Sequence, residues 1–345
     1  FPNISFLYTV DVFGVLADSS VESLDLTTAQ ITDEAALPDA LAPFTALASV
    51  DLSGQTLTSD TMTALTTLYP DVAFAFTVSV FGQQVSSSAT ELDLRGNTFT
   101  TPEEVAAGLS QLSALTYCDL CGTGLTNEQM ETLIAQFPSV KFVWYVDVGA
   151  WRVRTDIEAF STANRKEFPD GAGEYTGDGA RTLTDEETAV LKYCTDLVYL
   201  DLGGNKITDL SFLSGLTNLR VLMLGSNKIA DLTPVESLMN LEYLEIYSNA
   251  VTDLTPLTGL ASLAYLNCCR NSITDVTPLT AMTQLKMLWI ANNRSIATED
   301  LDALTTALPN CTVCTRTSDP TGAGWLETDL YKEFQLAAGL TTAEE

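Results

Sequence analysis

Two C-x-x-C pairs, Cys118/Cys121 and Cys311/Cys314, are the residues whose spacing most directly invites chemistry, because paired thiolates build tetrahedral zinc sites. They fall in coils distant from each other in the repeat order, so a single ion is not shared between them. Cys118, Cys268 and Cys311 also occupy positions otherwise held by leucine, where cysteine acts as a small hydrophobe, and Cys194 lies on the inner side of a helix. The total of seven is odd and argues against a complete disulfide framework. The second candidate chemistry is carboxylate chemistry. Ser23, Asp25, Ser49, Asp51, Glu91, Asp93, Tyr117 and Asp119 flank inner apolar positions, several as L-D-L. Such a row could take a basic partner or a divalent cation such as calcium, which is bound by oxygen ligands. No loop has EF-hand spacing, however, and the Ala75 strand separates Asp51 from Asp93, so a solvated acidic face is expected. A carboxylate-based hydrolase needs two acids opposed across a groove. A ladder on one sheet does not supply them.

The chain of 345 residues contains no histidine. That removes Ser-His-Asp and Cys-His nucleophiles, His-ligated zinc and the commonest general base at neutral pH. With 16 Lys+Arg against 45 Asp+Glu the net charge is −29, and no Lys or Arg precedes Arg95. Nucleic acid is an improbable partner for such a surface, since phosphate binding needs clustered cations. An apolar content of 46% excludes a disordered chain, and no apolar run approaches the roughly 20 residues that span a bilayer. The sequence starts at Phe1 rather than Met, and its apolar start carries Asp11 without a positive flank; a processed product whose export signal is already gone is expected. No cofactor and no metal are expected.

The elements that position these groups repeat. Asn205, Asn227, Asn249, Asn271 and Asn293 recur every 22 residues, each closing an L-x-x-L-x-L-x-x-N match: LVYLDLGGN, LRVLMLGSN, LEYLEIYSN, LAYLNCCRN and LKMLWIANN. Along so short a strand Leu200 and Leu202, or Leu222 and Leu224, point to one face. A single coil is too small to bury that face, so stacked coils must share a core. The Asn amide is placed to satisfy backbone groups of its own and adjacent coils. After it, KITDL, KIADLTPV, AVTDLTPL and SITDVTPL return Ile207, Ile229, Val251 and Ile273 to the core. Asp209, Asp231, Asp253 and Asp275 are suited to accept from turn N–H groups. Pro234, Pro256 and Pro278 fit the start of a short helical turn and oppose a long helix, so the return segments are predicted to be 3₁₀ or irregular.

The first half repeats differently. FPNISFLYTVDVFG, YPDVAFAFTVSVFG and FPSVKFVWYVDVGA place Pro2, Pro70 and Pro138 at intervals of 68 residues. Within one block the inner positions Leu24, Val50 and Phe74, then Leu92, mark three unequal coils. The third coil alternates for longer than a repeat strand needs and predicts a hairpin turning at Phe81-Gly82. Thr101–Glu104, Thr126–Gln129 and Thr184–Glu187 read as helix capping boxes. The positions of the asparagine ladder hold Ala29, Gln55, Asn97 and Thr123 here, so these turns must be satisfied less uniformly. The predicted organisation is an irregular array over 1–150, an insertion or connecting loop over 151–182, a regular 22-residue array over 183–315 and a C-terminal cap over 316–345. The loop holds Arg152, Arg154, Arg165 and Lys166; it either packs across the solenoid or forms a local anion site. In the cap, Trp325 and a short helix near Thr328–Ala338, with Leu330, Phe334 and Ala337 on one side, are expected to cover the last coil.

The array from Leu197 to Leu308 resembles the internalin and SDS22-like class of leucine-rich repeats, on the 22-residue period and on NKITDL, NKIADLTPV, NAVTDLTPL and NSITDVTPL. The resemblance implies an α/β right-handed solenoid, or horseshoe, with a parallel sheet on the concave face and helices and 3₁₀ turns on the convex side. It also implies a non-enzymatic protein-binding role and, for bacterial members, a cell-surface or extracellular place. It covers about a third of the chain, and nothing functional carries over from it to residues 1–150.

On the repeat strands the residues between the leucines face the other way. Tyr199, Met223, Tyr243, Glu245, Tyr265, Asn267, Met287 and Trp289, with Tyr247 just beyond, are read as a ligand-binding face open to water. Tyr, Trp and Met are enriched at protein interfaces. The competing explanation is that aromatic side chains stabilise sheets by cross-strand pairing. The function expected is capture of a protein or other macromolecule by a monomer; the alternative is a structural spacer with nothing bound.

Overall fold

The computed structural model describes residues 7–166, 168–180, 182–322 and 324–341. Pro2, which opens the first 68-residue block, lies outside them. The chain divides into two compact units, one ending at Val143 and one beginning at Trp144.

In the first unit the block period becomes sets of three parallel strands. Ser23–Asp25, Ser49–Leu52 and Ala73–Val80 align Leu24 with Val50 and Val50 with Phe74. Glu91–Asp93, Tyr117–Asp119 and Lys141–Val143 align Leu92 with Cys118 and Cys118 with Phe142. The side chains at the centres of these strands are largely buried, which is what fixes the register. Ala73–Val80 outruns its neighbours and turns back into Gln83–Ser86, with Phe81 and Gly82 both at positive φ (52° and 79°). Thr9–Val12 and Val15–Asp18 do the same through Phe13 and Gly14. Two successive left-handed residues match the twist of the flanking strands. Return segments include the helices Ser59–Leu68, Pro102–Leu109 and Asn127–Gln136, the last with both halves of its Thr126/Gln129 capping box. Glu104 departs from the box: it accepts from Thr100 N–H at 2.9 Å rather than from the cap residue. Turn chemistry is mixed, as expected: Gln55 Nε2 donates to the carbonyls of Leu26, Thr27 and Ala29, whereas Thr123 Oγ1 donates to Leu120.

The second unit starts with a third hairpin, Tyr145–Val148 with Trp151–Arg154, to which Gly173–Tyr175 adds a strand. Here Gly149-Ala150 stands where the other hairpins have Phe-Gly. The reason is local. A Cβ on Gly149 would lie 2.4 Å from the Ala180 carbonyl oxygen and from Leu183 Cδ2, at a φ of 59°. Gly149→Ala is therefore expected to cost about 2 kcal/mol, from the left-handed backbone and the forced shift together; a thermal midpoint unchanged within a degree would contradict this.

Residues 151–182 are not the loop the sequence suggested. Besides two strands of the hairpin sheet they contribute Ala159–Ser161, the first strand of a seven-stranded parallel sheet. Tyr199–Asp201, Val221–Met223, Tyr243–Glu245, Tyr265–Asn267, Met287–Trp289 and Thr312–Cys314 follow in order, with Leu200, Leu222, Leu244, Leu266 and Leu288 side by side. These leucines, with Ile207, Ile229, Val251 and Ile273, are fully buried. The return segments Ser211–Gly215, Thr233–Ser237, Thr255–Leu257 and Thr277–Ala281 are 3₁₀ helices. Asp209, Asp231, Asp253 and Asp275 each accept the N–H two residues on at 2.8 Å. The asparagine ladder spans coils: Asn227 accepts from Ile207 N–H at 3.1 Å and donates to the carbonyls of Leu202 and Leu224.

Candidate functional site

The register of the repeat strands puts Tyr199, Val221, Tyr243, Tyr265 and Met287 in one row and Asp201, Met223, Glu245, Asn267 and Trp289 in another, on the face opposite the leucines. That alternation is as the sequence implied. The exposure is not. Met223, Tyr243, Glu245, Asn267 and Trp289 are buried, Tyr243 and Asn267 completely, and Tyr199, Tyr247, Tyr265 and Met287 are half-buried. Water is excluded by the chain's own C-terminal residues, which make a second apolar cluster on this side of the sheet.

The covering segment runs from the last strand back toward the first. Asn292 Nδ2 donates to the Thr317 carbonyl (2.7 Å), Arg270 to Ser318 (2.6 Å) and Asn267 Nδ2 to Pro320 (2.6 Å). Trp325, wholly buried, then lies against Tyr243 and Trp289, with ring centroids 4.8 and 5.8 Å away, and its Nε1–H donates to Glu245 Oε2 at 2.5 Å. The helix Asp329–Ala337 follows, capped by Thr328, whose hydroxyl accepts from Tyr331 N–H. It presents Leu330 and Phe334 to the sheet, while Glu333 accepts from Tyr199 Oη at 3.2 Å and lies 3.4 Å from Arg220 Nη1. Arg220 is in turn held by Glu242 at 2.6 Å. Beyond the helix, Asn164 Nδ2 donates to the Ala338 carbonyl at 2.9 Å. The expected end cap thus lies across the sheet's second face, because Trp325, Leu330 and Phe334 find there the aromatic row that matches them.

The polar groups under this cover explain themselves unevenly. Asp201 accepts from Gly203 N–H and Ser161 Oγ, and Asn267 Oδ1 from Cys269 N–H. Asp25, Asp51, Asp93 and Asp119 make the same bond to the N–H two residues on, so the L-D-L carboxylates are turn acceptors at strand ends rather than a cation row. Glu245 is the exception. One methylene longer, it gives its carboxylate to the Trp325 indole. The Tyr243 hydroxyl is buried without a hydrogen-bond partner.

Burial holds the Glu245 carboxyl well above its ordinary range, at about 7; the indole bond opposes the shift and Asp201 adds to it. Asp201 is raised as well, chiefly by burial. A carboxyl that binds its proton more tightly when covered favours the covered state at low pH. That stabilisation is complete below about 4.5, the usual Glu value, and is lost as pH rises toward 7, an effect of up to about 3 kcal/mol. Amide protection over Asp329–Ala337, corrected for intrinsic rates, is expected to fall between pH 5 and 7.5, and Glu245→Gln to flatten the profile. An unchanged slope in that variant would assign the titration elsewhere.

The other candidate groups have structural partners. Arg152 is paired with Asp147 and Arg154 with Asp156, both at 2.8 Å, which spends two of the four positive charges expected for an anion site. Cys118, Cys194 and Cys268 are buried thiols; burial pushes Cys118 up to about 12 and holds it neutral. Asp201 and Glu245 stand two strands apart on one face, roughly 10 Å by strand spacing, not opposed across a groove.

Residues 195–237 and 217–259 match the family model of leucine-rich repeats, in two copies. The chain carries leucine-rich repeats. Among solved structures it is similar to internalin C2 of Listeria monocytogenes, 27% identical over 41% of this chain and 72% of that one, with a TM-score of 0.28. It is also similar to the internalin InlF of the same species (20% identical, 84% and 81% covered, TM-score 0.34). A leucine-rich repeat protein of Leptospira interrogans is 20% identical over 80% and 74% of the two chains, with a TM-score of 0.36. No curated protein sequence matches the chain. The family model falls on the coils around Tyr199, Met223, Tyr243, Glu245 and Tyr247, so the repeats build most of the covered face. No helix among the described residues is long and apolar enough to cross a membrane.

Proposed function

We propose that the protein is a non-enzymatic binding module that takes a peptide segment of a protein partner on the concave, second face of the repeat sheet, through Tyr199, Met223, Tyr243, Glu245, Tyr247, Tyr265, Asn267, Met287 and Trp289. Leucine-rich repeats generally serve protein interaction. The observation that carries the reading here is that this face already holds a folded segment, with an indole between Tyr243 and Trp289 and a helix beyond it. A mere spacer has no need of a buried carboxylate and an unpartnered Tyr hydroxyl in that position, each of which costs stability. An extracellular or cell-surface place in a bacterium and a monomeric state belong to the same proposal, on the internalin resemblance; fractionation of the producing cells and sedimentation test them.

Panning a displayed peptide library against the full chain is expected to enrich sequences whose capture falls at least tenfold when Tyr247 and Tyr265 are both replaced by alanine. Enrichment of nothing, or capture indifferent to that pair, would favour the spacer.

A further inference from the structure

We infer that the C-terminal segment is a displaceable occupant of this face, and that the external partner is a peptide repeating its chemistry: an indole N–H donor aimed at Glu245, followed by apolar side chains at helical spacing. The inference rests on the binding role proposed above and adds its regulation and the partner's character.

Three observations carry it. The hydrogen bonds that tie the segment to the sheet run through side chains: Asn292, Arg270, Asn267 and Asn164 donate to its carbonyls, Tyr199 to its Glu333, and its Trp325 donates to Glu245. Among the described residues, departure of the segment therefore breaks no strand ladder. The leucine core lies on the opposite face and is closed by coil stacking, so it does not need the cover. Finally, the covered face is mixed. Glu245, part-buried Asp201 and the unpartnered Tyr243 hydroxyl sit among Met223, Trp289 and Val221. A face used only for permanent packing gains from being wholly apolar; polar groups of this kind suit a surface that meets water part of the time. The segment satisfies one of them, Glu245, with a single donor, and meets the apolar row with Trp325, in the turn before the helix, and with Leu330 and Phe334, four residues apart on one side of it.

A partner competes with an occupant present at high effective concentration, so binding by the intact chain is weakened by the fraction of time the face is covered. The segment must then open without global unfolding. In the full-length chain, hydrogen exchange of the Asp329–Ala337 amides is expected to proceed as one unit, at least 100-fold faster than that of the Leu200, Leu222 and Leu244 amides. Equal protection of the two sets would overturn the inference, because the segment would then leave only with the whole fold. In addition, a labelled peptide of residues 324–341 is expected to bind the full-length Trp325→Ala variant at least tenfold more tightly than the unaltered chain, and the same peptide carrying Trp325→Ala to bind neither. Equal affinity for both proteins would also overturn it. If Trp325→Ala does not fold, the exchange measurement on the unaltered chain decides alone. The two readings fail separately: independent opening with no library peptide enriched removes the partner but leaves the occupant, while enriched peptides with a co-protected segment remove the occupant but leave the binding face.

Discussion

Trp325→Ala is expected to remove about 3–5 kcal/mol from docking of the C-terminal segment while leaving the leucine core almost untouched. The magnitude is that of truncating a buried large aromatic residue. It has three parts here: the stacking area against Tyr243 and Trp289, the cavity left between them, and the Glu245 carboxylate stripped of its donor. The segment-side core, made of Trp325, Leu330, Phe334 and Ala338, is small and separated from the leucines by the sheet. The loss is therefore local. Limited proteolysis should cut the C-terminal helix much faster, and Trp289 emission should shift to longer wavelength, while the urea midpoint of the strand signal stays close to that of the parent. A strand midpoint that fell by the full amount would mean that the two faces melt together.

Asn227→Ala is expected to act in the opposite manner, costing about 3–5 kcal/mol spread over the whole repeat unit. The amide serves three backbone groups in two adjacent coils, accepting from Ile207 and donating to Leu202 and Leu224. All three lie at buried positions, so water does not readily replace the lost partner, and each orphaned group costs about 1–3 kcal/mol. Coils exchange most of their stabilisation with neighbours, so damage to one interface uncouples those on either side. Urea unfolding should show a lower midpoint or a split transition. Asn249, whose bonds are only partly buried, is expected to cost about half as much on the same substitution. Equal effects at the two positions would show that burial is not what sets the cost.

Much of this architecture was readable before any coordinates, for a physical reason. A stacked coil must repeat its inner leucines and its Asn at a constant interval, and the long third coil of each 68-residue block could only continue into a turn at Phe81-Gly82. The orientation of Tyr199, Tyr243, Tyr265 and Trp289 away from the leucines also followed from strand alternation. Their burial did not, because the cover is not periodic: Trp325 is 80 residues from Glu245 in sequence, and its glycine-flanked stretch looks like an ordinary chain end. A signal was present all the same. Glu245 occupies a register row in which Asp201, two strands away, and Asn267, on the next strand, have shorter side chains that reach their own turn. A longer acid there cannot be explained by the turn. Ala159–Ser161 carries no leucine signature and joins the sheet through register alone, so nothing in the sequence marks it as a repeat strand.

The path of the C-terminal segment sets a ruler against the repeats. It is fastened at Asn292 near one edge and at Asn164 near the other, with Trp325 seated between two particular rings. Open solenoids gain or lose whole coils by gene duplication with little penalty. In this one an added coil would insert about 4.8 Å between the fastening points, and the indole would miss its seat. Copy number in this array is thus tied to the length of the chain that follows it, and the two can change in evolution only together.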